Sequence, residues 1–444
     1  MAPRLCTPAQ HRAKVERVAT QLKAWPAGRP LSLKKSSPSH QVPKPGDLKY
    51  SDDKLDVSDL DAIIEIDVEG RRCVAEPGVT FVDLVAATLE HGLVPYVVPE
   101  LETITIGGAV SGCSIESMSF EIGGFHDNCL AYELLTGRGE LLRCDPDGED
   151  ALVFHMMQGS FGTLGILTEL TFRLCPAAPY VRVEYEKHSS AASYLASIKA
   201  HAEARDMDFM DGIIHGPDLY VLSLGHLEQQ APYTHRYDWV TPYYKTTASR
   251  VVDHFETPDY FFRYNRGVTG VRPRSWLARL LLGRWLDSTR VLALTDRFNH
   301  LLTPEQLGIT VDLFIPYSRC EEFLAWYWAE FGAHPLWCVP YTPARDYPWI
   351  ADAYHQRQTD EMFVDLAIYG FSPKDGRNYH RLIEEKLHQV NGLKTLIAPN
   401  YYGEDEFWTV FNRPNHFAVK ARTDPDGLFR DLYTKTCRAS RGLS

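Results

Sequence analysis

Residues 99–117 read PELETITIGGAVSGCSIES, and residues 159–166 read GSFGTLGI. Each of these glycine-rich stretches adjoins sequence typical of a strand. Glycine adopts positive φ angles and lets the backbone approach a ligand closely, and successive amide groups in such turns form a concavity that binds anions. The pair therefore predicts two turns that hold a ligand with a pyrophosphate and a flat ring. Ordinary turn glycines of a β-rich domain are the alternative.

The glycines do not follow the dinucleotide-binding pattern of Rossmann folds, because no G-x-G-x-x-G sequence opens a helix after a strand. The segment 137–139, Gly-Arg-Gly, comes closest, but it separates YELL from ELLR and is typical of a hairpin turn. The sequence has no Walker motif either. A dinucleotide would have to bind here in another kind of fold.

Composition indicates a well-packed globular protein. The chain has 444 residues, of which 44% are hydrophobic and 12% aromatic, and this length predicts two or three domains. A net charge of −12 argues against non-specific nucleic-acid binding. The nine cysteines show no C-x-x-C spacing, which favours reduced thiols over a disulfide framework or a metal site. The first residues lack the apolar region of a signal peptide and no stretch is apolar enough to span a membrane, so we expect a cytoplasmic protein.

The order of predicted elements indicates an α+β fold. Up to Pro176 the sequence predicts a helix, a small β-α-β unit and antiparallel hairpins; after Pro179 it predicts further strands and helices. We expect a two-part ligand-binding domain at 1–178, an α+β substrate (cap) domain at 179–395, and a C-terminal segment at 396–444 that returns to the first domain.

Several motifs together resemble one family, the vanillyl-alcohol-oxidase-type FAD-binding oxidoreductases, and within it the Diminuto-like, Δ24-sterol reductase group. The motifs are PELETITIGG at 99–108, GCSIES at 112–117, AYEL at 131–134, GTLG at 162–165, PLWCVP at 335–340 and YGEDEFWTVF at 402–411. The resemblance covers most of residues 50–440. It is nearest to bacterial relatives that act on fatty-acyl chains, either reducing a methylene branch or desaturating the chain.

The resemblance implies that FAD lies between the two parts of the first domain. The cofactor-binding residues that it implies are Lys35, Pro99, Thr105, Gly107, Gly108, Ser111, Gly112, Cys113, Glu116, Ser117, Gly162, Thr163, Gly165 and Ile166. The loop 34–39 would close over the phosphates with its two lysines, unless it is simply a solvated charged loop. His40 lacks the flanking glycines of relatives that bind flavin covalently, so we expect non-covalent FAD.

The resemblance also implies a reaction: reduction of a carbon–carbon double bond in a lipid, a branched fatty-acyl chain or a sterol side chain, with NADPH as a transient electron donor. An isolated alkene is not electrophilic, so an acid near the flavin must supply a proton. The candidate acids are Glu116, His126 and Tyr369, with Tyr401 and Tyr402 as further choices. The alternatives are that Glu116 binds the ribityl chain of the cofactor and that His126 is a structural turn residue.

Two other functions remain open. The same fold could serve as an FAD-dependent oxidase or dehydrogenase that desaturates an acyl chain or oxidises an alcohol, with O₂ or another acceptor. It could also be a flavin-binding scaffold with little turnover. Bleaching of the flavin by NADPH, by a lipid, or by neither would separate these hypotheses.

One basic segment indicates a membrane surface as partner. Residues 263–297 hold eight Arg against two Asp, a net charge of +6 in an acidic chain. Trp and Leu interleave with Arg between 272 and 290, a composition that suits an interfacial helix on anionic lipid. A homodimer interface or a helix packed on its own domain is the alternative. We expect peripheral membrane association and a lipid substrate.

Overall fold

The computed structural model describes residues 3–26, 28–42, 44, 46–238, 241–265, 308–332, 335–372 and 375–443. The basic segment predicted to meet the membrane, 272–290, lies outside the described residues. None of the helices in the described ranges combines the length and the apolar character that crossing a bilayer demands.

The elements are numbered in chain order. Helices α1 to α13 span Pro8–Lys23, Phe81–Leu89, Ile106–Gly112, Ser119–Ile122, Ala151–Met157, Ala191–Ala204, Tyr243–Thr246, Thr257–Phe261, Cys320–Glu330, Asp352–His355, Tyr379–Val390, Glu404–Val410 and Arg413–Thr423. Strands β1 to β17 span Leu31–Lys34, Asp53–Asp56, Ile63–Asp67, Arg72–Ala75, Leu93–Pro95, Cys129–Leu135, Leu141–Cys144, Ile166–Pro176, Tyr180–His188, Phe209–Gly216, Leu219–Glu228, Val252–Glu256, Ile309–Val311, Leu313–Pro316, Leu336–Tyr341, Phe363–Phe371 and Leu393–Lys394. In the described ranges, 3₁₀ helices span Leu48–Tyr50, Phe125–Asn128, Tyr317–Arg319 and Ala439–Arg441, and a π-helix spans Thr434–Arg438.

The first sheet is antiparallel and has the strand order β3-β4-β8-β6-β7, with β5 paired to the far end of β8. Its long central strand, β8, buries Leu170, Phe172 and Leu174. Helices α2 and α3 contribute side chains to the same core. The segments that form the candidate site are therefore packed against this sheet.

Helix α1 begins at a capping box, in which Thr7 and Gln10 bond each other's backbone amides and Pro8 opens the first turn. Its apolar face packs on the two-stranded parallel sheet β1–β2 and on Leu428 from the C-terminal segment. The amide of Gly137 also donates to the carbonyl of Thr423 at 2.7 Å. Both chain ends thus contact the first sheet.

The second sheet has the order β12-β9-β11-β10-β15-β16-β14-β17, with β13 beside β16. Successive residues of a strand point to opposite faces, and β15 follows this rule. Leu336 and Cys338 join the core under helices α6, α9 and α11, whereas Trp337, Val339 and Tyr341 join the core that faces the first domain. The alternation directs the aromatic residues of β15 toward the site.

The α+β prediction is confirmed, because the described residues form helices and mainly antiparallel sheets. Two local predictions were wrong. The first glycine-rich stretch forms helix α3 rather than a turn, because the Thr105 hydroxyl caps it by accepting from the amide of Gly108. In the C-terminal segment the sequence predicts helices over 404–411 and 427–438; the first corresponds to α12, the second forms only near its end, and α13 was not predicted. The division into separate domains stays a prediction, although the two sheets divide near residue 178.

Candidate functional site

A cavity of about 580 Å³ lies between the two sheets. One wall comes from the glycine-rich stretches and includes Gly112, Cys113 and Gly159. The opposite wall comes from the second sheet and includes Phe314 and Tyr341. A largely apolar cavity between two parts of a chain is a usual place for a ligand or cofactor.

The two glycine-rich stretches meet at this wall. The amide of Gly159 donates to the carbonyl of Val110 at 3.2 Å, and the amide of Phe161 donates to the carbonyl of Ser111 at 3.0 Å. A Cβ atom at Gly159 would lie 3.3 Å from the Cys113 sulfur. Stretches far apart in the sequence therefore form one continuous surface.

The glycines of α3 divide into two kinds. The amide of Gly107 donates to the carbonyl of Pro77 at 2.9 Å, and a Cβ atom at Gly107 would lie 2.6 Å from the Pro77 side chain. At Gly112 a Cβ atom would have no atom within 4 Å, and this residue lines the cavity. Gly107 thus serves packing within the chain, whereas Gly112 leaves room for a ligand.

The remaining predicted residues of this stretch lie around α3. Pro99 is buried in the segment that leads to the helix, and the Ser111 hydroxyl donates to the carbonyl of Gly107 at 2.8 Å. Cys113 ends the helix with a φ of 56°, a left-handed conformation that turns the chain toward the cavity. The carbonyl of Ser117 accepts from the amide of Met210 at 2.7 Å, which joins the stretch to the second sheet.

The second stretch turns sharply before β8. Gly162 and Gly165 have positive φ angles of 70° and 145°, which only glycine adopts without strain. A Cβ atom at Gly165 would meet Leu134, so Gly165 serves packing, and the Thr163 hydroxyl donates to the carbonyl of Ser160. Ile166 is buried at the start of β8. Gly162 is the residue of this turn that faces a lysine: its Cβ position lies 3.7 Å from Lys435 Nζ.

Basic residues collect beside that turn. Burial, together with the like charge of Lys35, lowers the pKa of Lys435 to about 8. Burial also lowers the pKa of His40 to about 4, although His40 Nε2 bonds the Thr103 hydroxyl at 3.0 Å. The predicted loop 34–39 therefore lies close to the C-terminal segment and to the residues before α3.

These features fit a ligand with a pyrophosphate and a flat ring. Open space at Gly112 lets a ligand group lie against the backbone. Because Gly162 has no side chain, nothing projects from its left-handed turn toward Lys435. Within the described ranges, Lys435 Nζ has no hydrogen-bond or ion-pair partner to satisfy its charge. An anionic group there would supply one.

Glu116 lies next to Ile115, a residue of the cavity wall. Its carboxyl is buried, and neither oxygen has a hydrogen-bond partner among the described residues. Burial raises the pKa of Glu116 well above its usual value; Arg263 opposes this shift, whereas the charges of Glu100 and Asp211 add to it.

Arg263 is shared unequally between two acids. Its Nη2 lies 2.9 Å from Asp211 and 3.6 Å from Glu116. Asp211 also accepts from the Tyr264 hydroxyl at 2.6 Å and from the Trp337 indole at 3.2 Å. Asp211 is thus held by two hydrogen bonds and an ion pair, whereas Glu116 makes the longer contact with Arg263.

Tyr369 lies in a second acidic group on the same side of the sheet. Its hydroxyl donates to Asp312 at 2.8 Å. Burial raises the pKa of Asp312, and it raises the pKa of Asp365 and Glu100, the latter to about 7, with the charge of Asp312 adding to both. The Thr395 hydroxyl, on the cavity wall, also donates to Asp312.

His126 lies in a third group of polar side chains, which includes Asp127, Tyr341 and Tyr347. Its Nε2 is 3.3 Å from Asp127, and burial lowers its pKa despite that carboxylate. The Tyr347 hydroxyl donates to Asp127 at 2.7 Å and lies 2.5 Å from the Tyr341 hydroxyl. Tyr341 and Tyr347 both line the cavity.

The structure thus adds acidic and aromatic residues that the sequence interpretation missed. A signal was present for three of them, because Asp211, Asp312 and Asp365 each interrupt an apolar strand, in FMDGII, TVDLFI and FVDLAI. A carboxylate inside a buried strand is unusual unless it is paired or functional. Arg263 had no such signal.

Comparisons with known proteins agree with this geometry. Residues 42–145 match the model of a family described as an FAD binding domain. The chain is 25% identical to a Δ24-sterol reductase homologue of Caenorhabditis elegans, over 98% of this chain and 89% of that protein. It is also 25% identical to the human Δ24-sterol reductase, over 99% of this chain and 88% of that protein.

A further relative, cytokinin dehydrogenase 6 of Oryza sativa, is 32% identical over 78% of this chain and 69% of that protein. The chain therefore belongs to the vanillyl-alcohol-oxidase-type FAD-binding oxidoreductases and is an FAD-dependent oxidoreductase.

Proposed function

We propose that the protein reduces a carbon–carbon double bond in a lipid, with FAD as its cofactor and NADPH as the electron donor. The observation that carries this proposal is the buried carboxyl of Glu116, which has no hydrogen-bond partner among the described residues and follows Ile115, a residue of the cavity wall, in the chain. The similarity to Δ24-sterol reductases, whose name states reduction at a sterol carbon, supports the reaction type.

The cavity supports an apolar substrate. Aromatic and aliphatic side chains dominate its walls, among them Phe161, Phe314, Phe363 and Leu396. Transfer of an acyl chain or a sterol side chain from water to such walls is favourable by roughly 25 cal/mol for each Å² of apolar surface that is buried.

When bound, reduced FAD supplies a hydride equivalent to one alkene carbon. Glu116 donates a proton to the other carbon, so the double bond becomes a single bond with one hydrogen added to each carbon. A neutral carboxyl is needed for this step, and burial keeps Glu116 in that form.

The other candidate acids are less suitable. The Tyr369 hydroxyl is engaged with Asp312, and burial raises its pKa further. Burial lowers the pKa of His126, so its imidazole is neutral near pH 7 and holds no acidic proton to give. Tyr369 and His126 are proposed to orient groups around the cavity rather than to donate the proton.

The proposal is tested by following two half-reactions separately under anaerobic conditions. NADPH should bleach the yellow oxidised flavin of the parent protein, and a lipid alkene should restore the colour. In Glu116→Gln the first step should be unchanged, whereas the second should slow by about 10²–10⁴-fold, the usual contribution of a general acid. Glu203→Gln, an exposed carboxylate far from the cavity wall, is the matched control.

Two results would contradict the proposal. If Glu116→Gln leaves the lipid step within threefold of the parent, the proton comes from elsewhere; His126→Ala and Tyr369→Phe then test the remaining candidates. If NADPH never bleaches the flavin but a saturated methyl-branched lipid does, the enzyme works as a dehydrogenase and Glu116 acts as a base. The similarity to a cytokinin dehydrogenase gives this second candidate function its support.

We propose further that the chain associates with membrane surfaces through residues 272–290, where its lipid substrate would be found. The support is the net positive charge of that region in an acidic chain. Each basic residue near an anionic bilayer contributes about 1 kcal/mol. Co-sedimentation with anionic vesicles should weaken with salt and in the triple variant Arg274→Glu, Arg279→Glu, Arg284→Glu; equal sedimentation with neutral vesicles would contradict the proposal.

A further inference from the structure

The C-terminal π-helix, Thr434–Arg438, brings a lysine to the cofactor side of the molecule. The Cβ position of Gly162 lies 3.7 Å from Lys435 Nζ. Gly162 has a φ of 70° and belongs to the second glycine-rich stretch. A π-helix is rare and is frequently found at functional sites.

The charge of Lys435 lacks a local counter-ion. Among the described residues no carboxylate lies within ion-pair distance of its Nζ. The nearest acids have other partners: Asp52 pairs with Arg430, and Asp47 accepts from the amide of Lys49. A half-buried ammonium in this position is costly unless a ligand supplies the negative charge.

A second lysine adds to this excess of positive charge. Lys35, from the loop that follows β1, lies close enough to Lys435 to lower its pKa, and Lys49 acts in the same direction. Like charges held together destabilise the folded chain. Their arrangement beside a left-handed glycine turn matches what a phosphate needs: positive side chains on one side and bare backbone on the other.

We propose that Lys435 binds the pyrophosphate of FAD, so that the C-terminal segment closes the cofactor site from the side opposite to helix α3. Lys35 faces the same group from the loop 34–39. The inference rests on FAD binding and not on the identity of the lipid. It assigns to the last residues of the chain a direct part in holding the cofactor.

The proposal is tested directly by the binding of flavins that differ in phosphate content to the full-length apoprotein. Titration by fluorescence quenching would use FAD, with two phosphates, and riboflavin, with none. In Lys435→Gln and Lys435→Met the dissociation constant for FAD should rise about 10–100-fold, the effect of losing a hydrogen bond to a charged group. The constant for riboflavin should stay within twofold, and Lys435→Arg should bind FAD nearly as the parent does.

Lys199→Gln, at an exposed lysine on α6, is the matched control and should leave both constants unchanged. Thermal unfolding of each apoprotein shows whether a variant is folded. Competition by ADP and by inorganic phosphate identifies the anion: ADP should displace FAD from the parent but less from Lys435→Met, whereas stronger competition by free phosphate alone would indicate a site for phosphate rather than for the dinucleotide.

A second measurement uses the unmodified protein, so it does not depend on whether a variant folds. The charges that face Lys435 are Lys35, Lys49, Asp47 and Asp52. Because the pKa of Lys435 is about 8, the affinity for FAD should fall as the pH rises from 7 to 9, while that for riboflavin should not. Equal losses of FAD and riboflavin in the variants, or no difference in pH dependence between the two flavins, would overturn the proposal.

Discussion

The two ends of the proposed cofactor region differ in the sign of the charge that burial disfavours. Beside Gly162 lies Lys435, and burial lowers its pKa to about 8. Next to Ile115 lies Glu116, and burial raises its pKa well above the usual value. At each end, burial destabilises the charged form of the group. The lysine at the first end lacks an anionic partner among the described residues, whereas the carboxyl at the second end retains its proton.

A third cluster shows what charges look like when they serve only the fold. His11 on helix α1 contacts Glu76 at 2.9 Å and lies 3.6 Å from Glu133, and Lys14 pairs with Glu76 at 2.7 Å. Each acid there has a cation, and the pKa of Glu76 is lowered by its partners despite burial. Pairing of each charge with an opposite charge of the chain thus distinguishes this structural cluster from the two ends of the proposed cofactor region.

The largest effect on stability should come from removing Arg263 at the acidic end. Arg263→Met removes the cation that Asp211 and Glu116 share, and breaking a buried pair in this way costs about 3–5 kcal/mol. Urea unfolding should show this loss, and Arg263→Met combined with Asp211→Asn should recover part of it. Arg319→Met, in an exposed pair with Glu322, should cost less than about 1 kcal/mol; equal losses would show that Arg263 and Asp211 are not a structural unit.

The same change at two glycines of α3 should separate folding from cofactor binding. Gly107→Ala places a methyl group against Pro77 and should destabilise the protein by about 1–3 kcal/mol. Gly112→Ala meets no atom of the chain and should leave stability unchanged or slightly improved, but weaken FAD about tenfold, the equivalent of ~1.4 kcal/mol. Unfolding curves and FAD titrations measure both; FAD affinity unaffected by Gly112→Ala would remove this face from the cofactor site.

The balanced cluster should give stability that depends on pH. Burial alone would lower the pKa of His11, but hydrogen bonds with Glu133 and Glu76 raise it to about 9 from 6.5. A raised pKa in the folded state stabilises below pH 6.5, and this stabilisation is lost as the pH rises from 6.5 to 9. We expect the free energy of unfolding to fall by ~1–2 kcal/mol in that interval. A pKa difference of one between the folded and unfolded states is worth about 1.4 kcal/mol, and solvent near Lys14 reduces the effect.

Urea unfolding at pH 6, 7.5 and 9 measures this dependence. It should be much smaller in His11→Gln, whereas His388→Gln, at an exposed histidine, should behave as the parent does. A parent protein whose stability rises over this interval would contradict the assignment.

The smallest effect concerns His40. Its Nε2 bonds Thr103 at 3.0 Å, and its flanking residues are not the glycines of covalent relatives. We expect acid precipitation to leave the yellow colour in the supernatant. Colour that stays with the pellet, and leaves it in His40→Ala, would show a covalent bond and would place the flavin ring next to the loop 34–39.

Much of the local structure could be predicted because its causes are local. The capping box at Thr7 and the repeat of Val15, Val18 and Leu22 specify helix α1 without help from the rest of the chain. The glycine-rich stretches and the motifs around them were sufficient to indicate FAD and the family. The turn predicted at Gly107 and Gly108 failed for a local reason too: the cap at Thr105 outweighs the poor helix propensity of glycine.

What the sequence by itself determined is therefore the set of elements, the α+β class and the kind of cofactor, since each depends on short-range patterns. The tertiary structure alone decided which charges meet. Arg263 reaches Asp211 and Glu116, and Lys435 reaches Gly162, across separations at which no periodicity or motif operates. The pKa of a buried group depends on its neighbours in space, so the difference between the acidic and basic ends of the site became visible only in the folded chain.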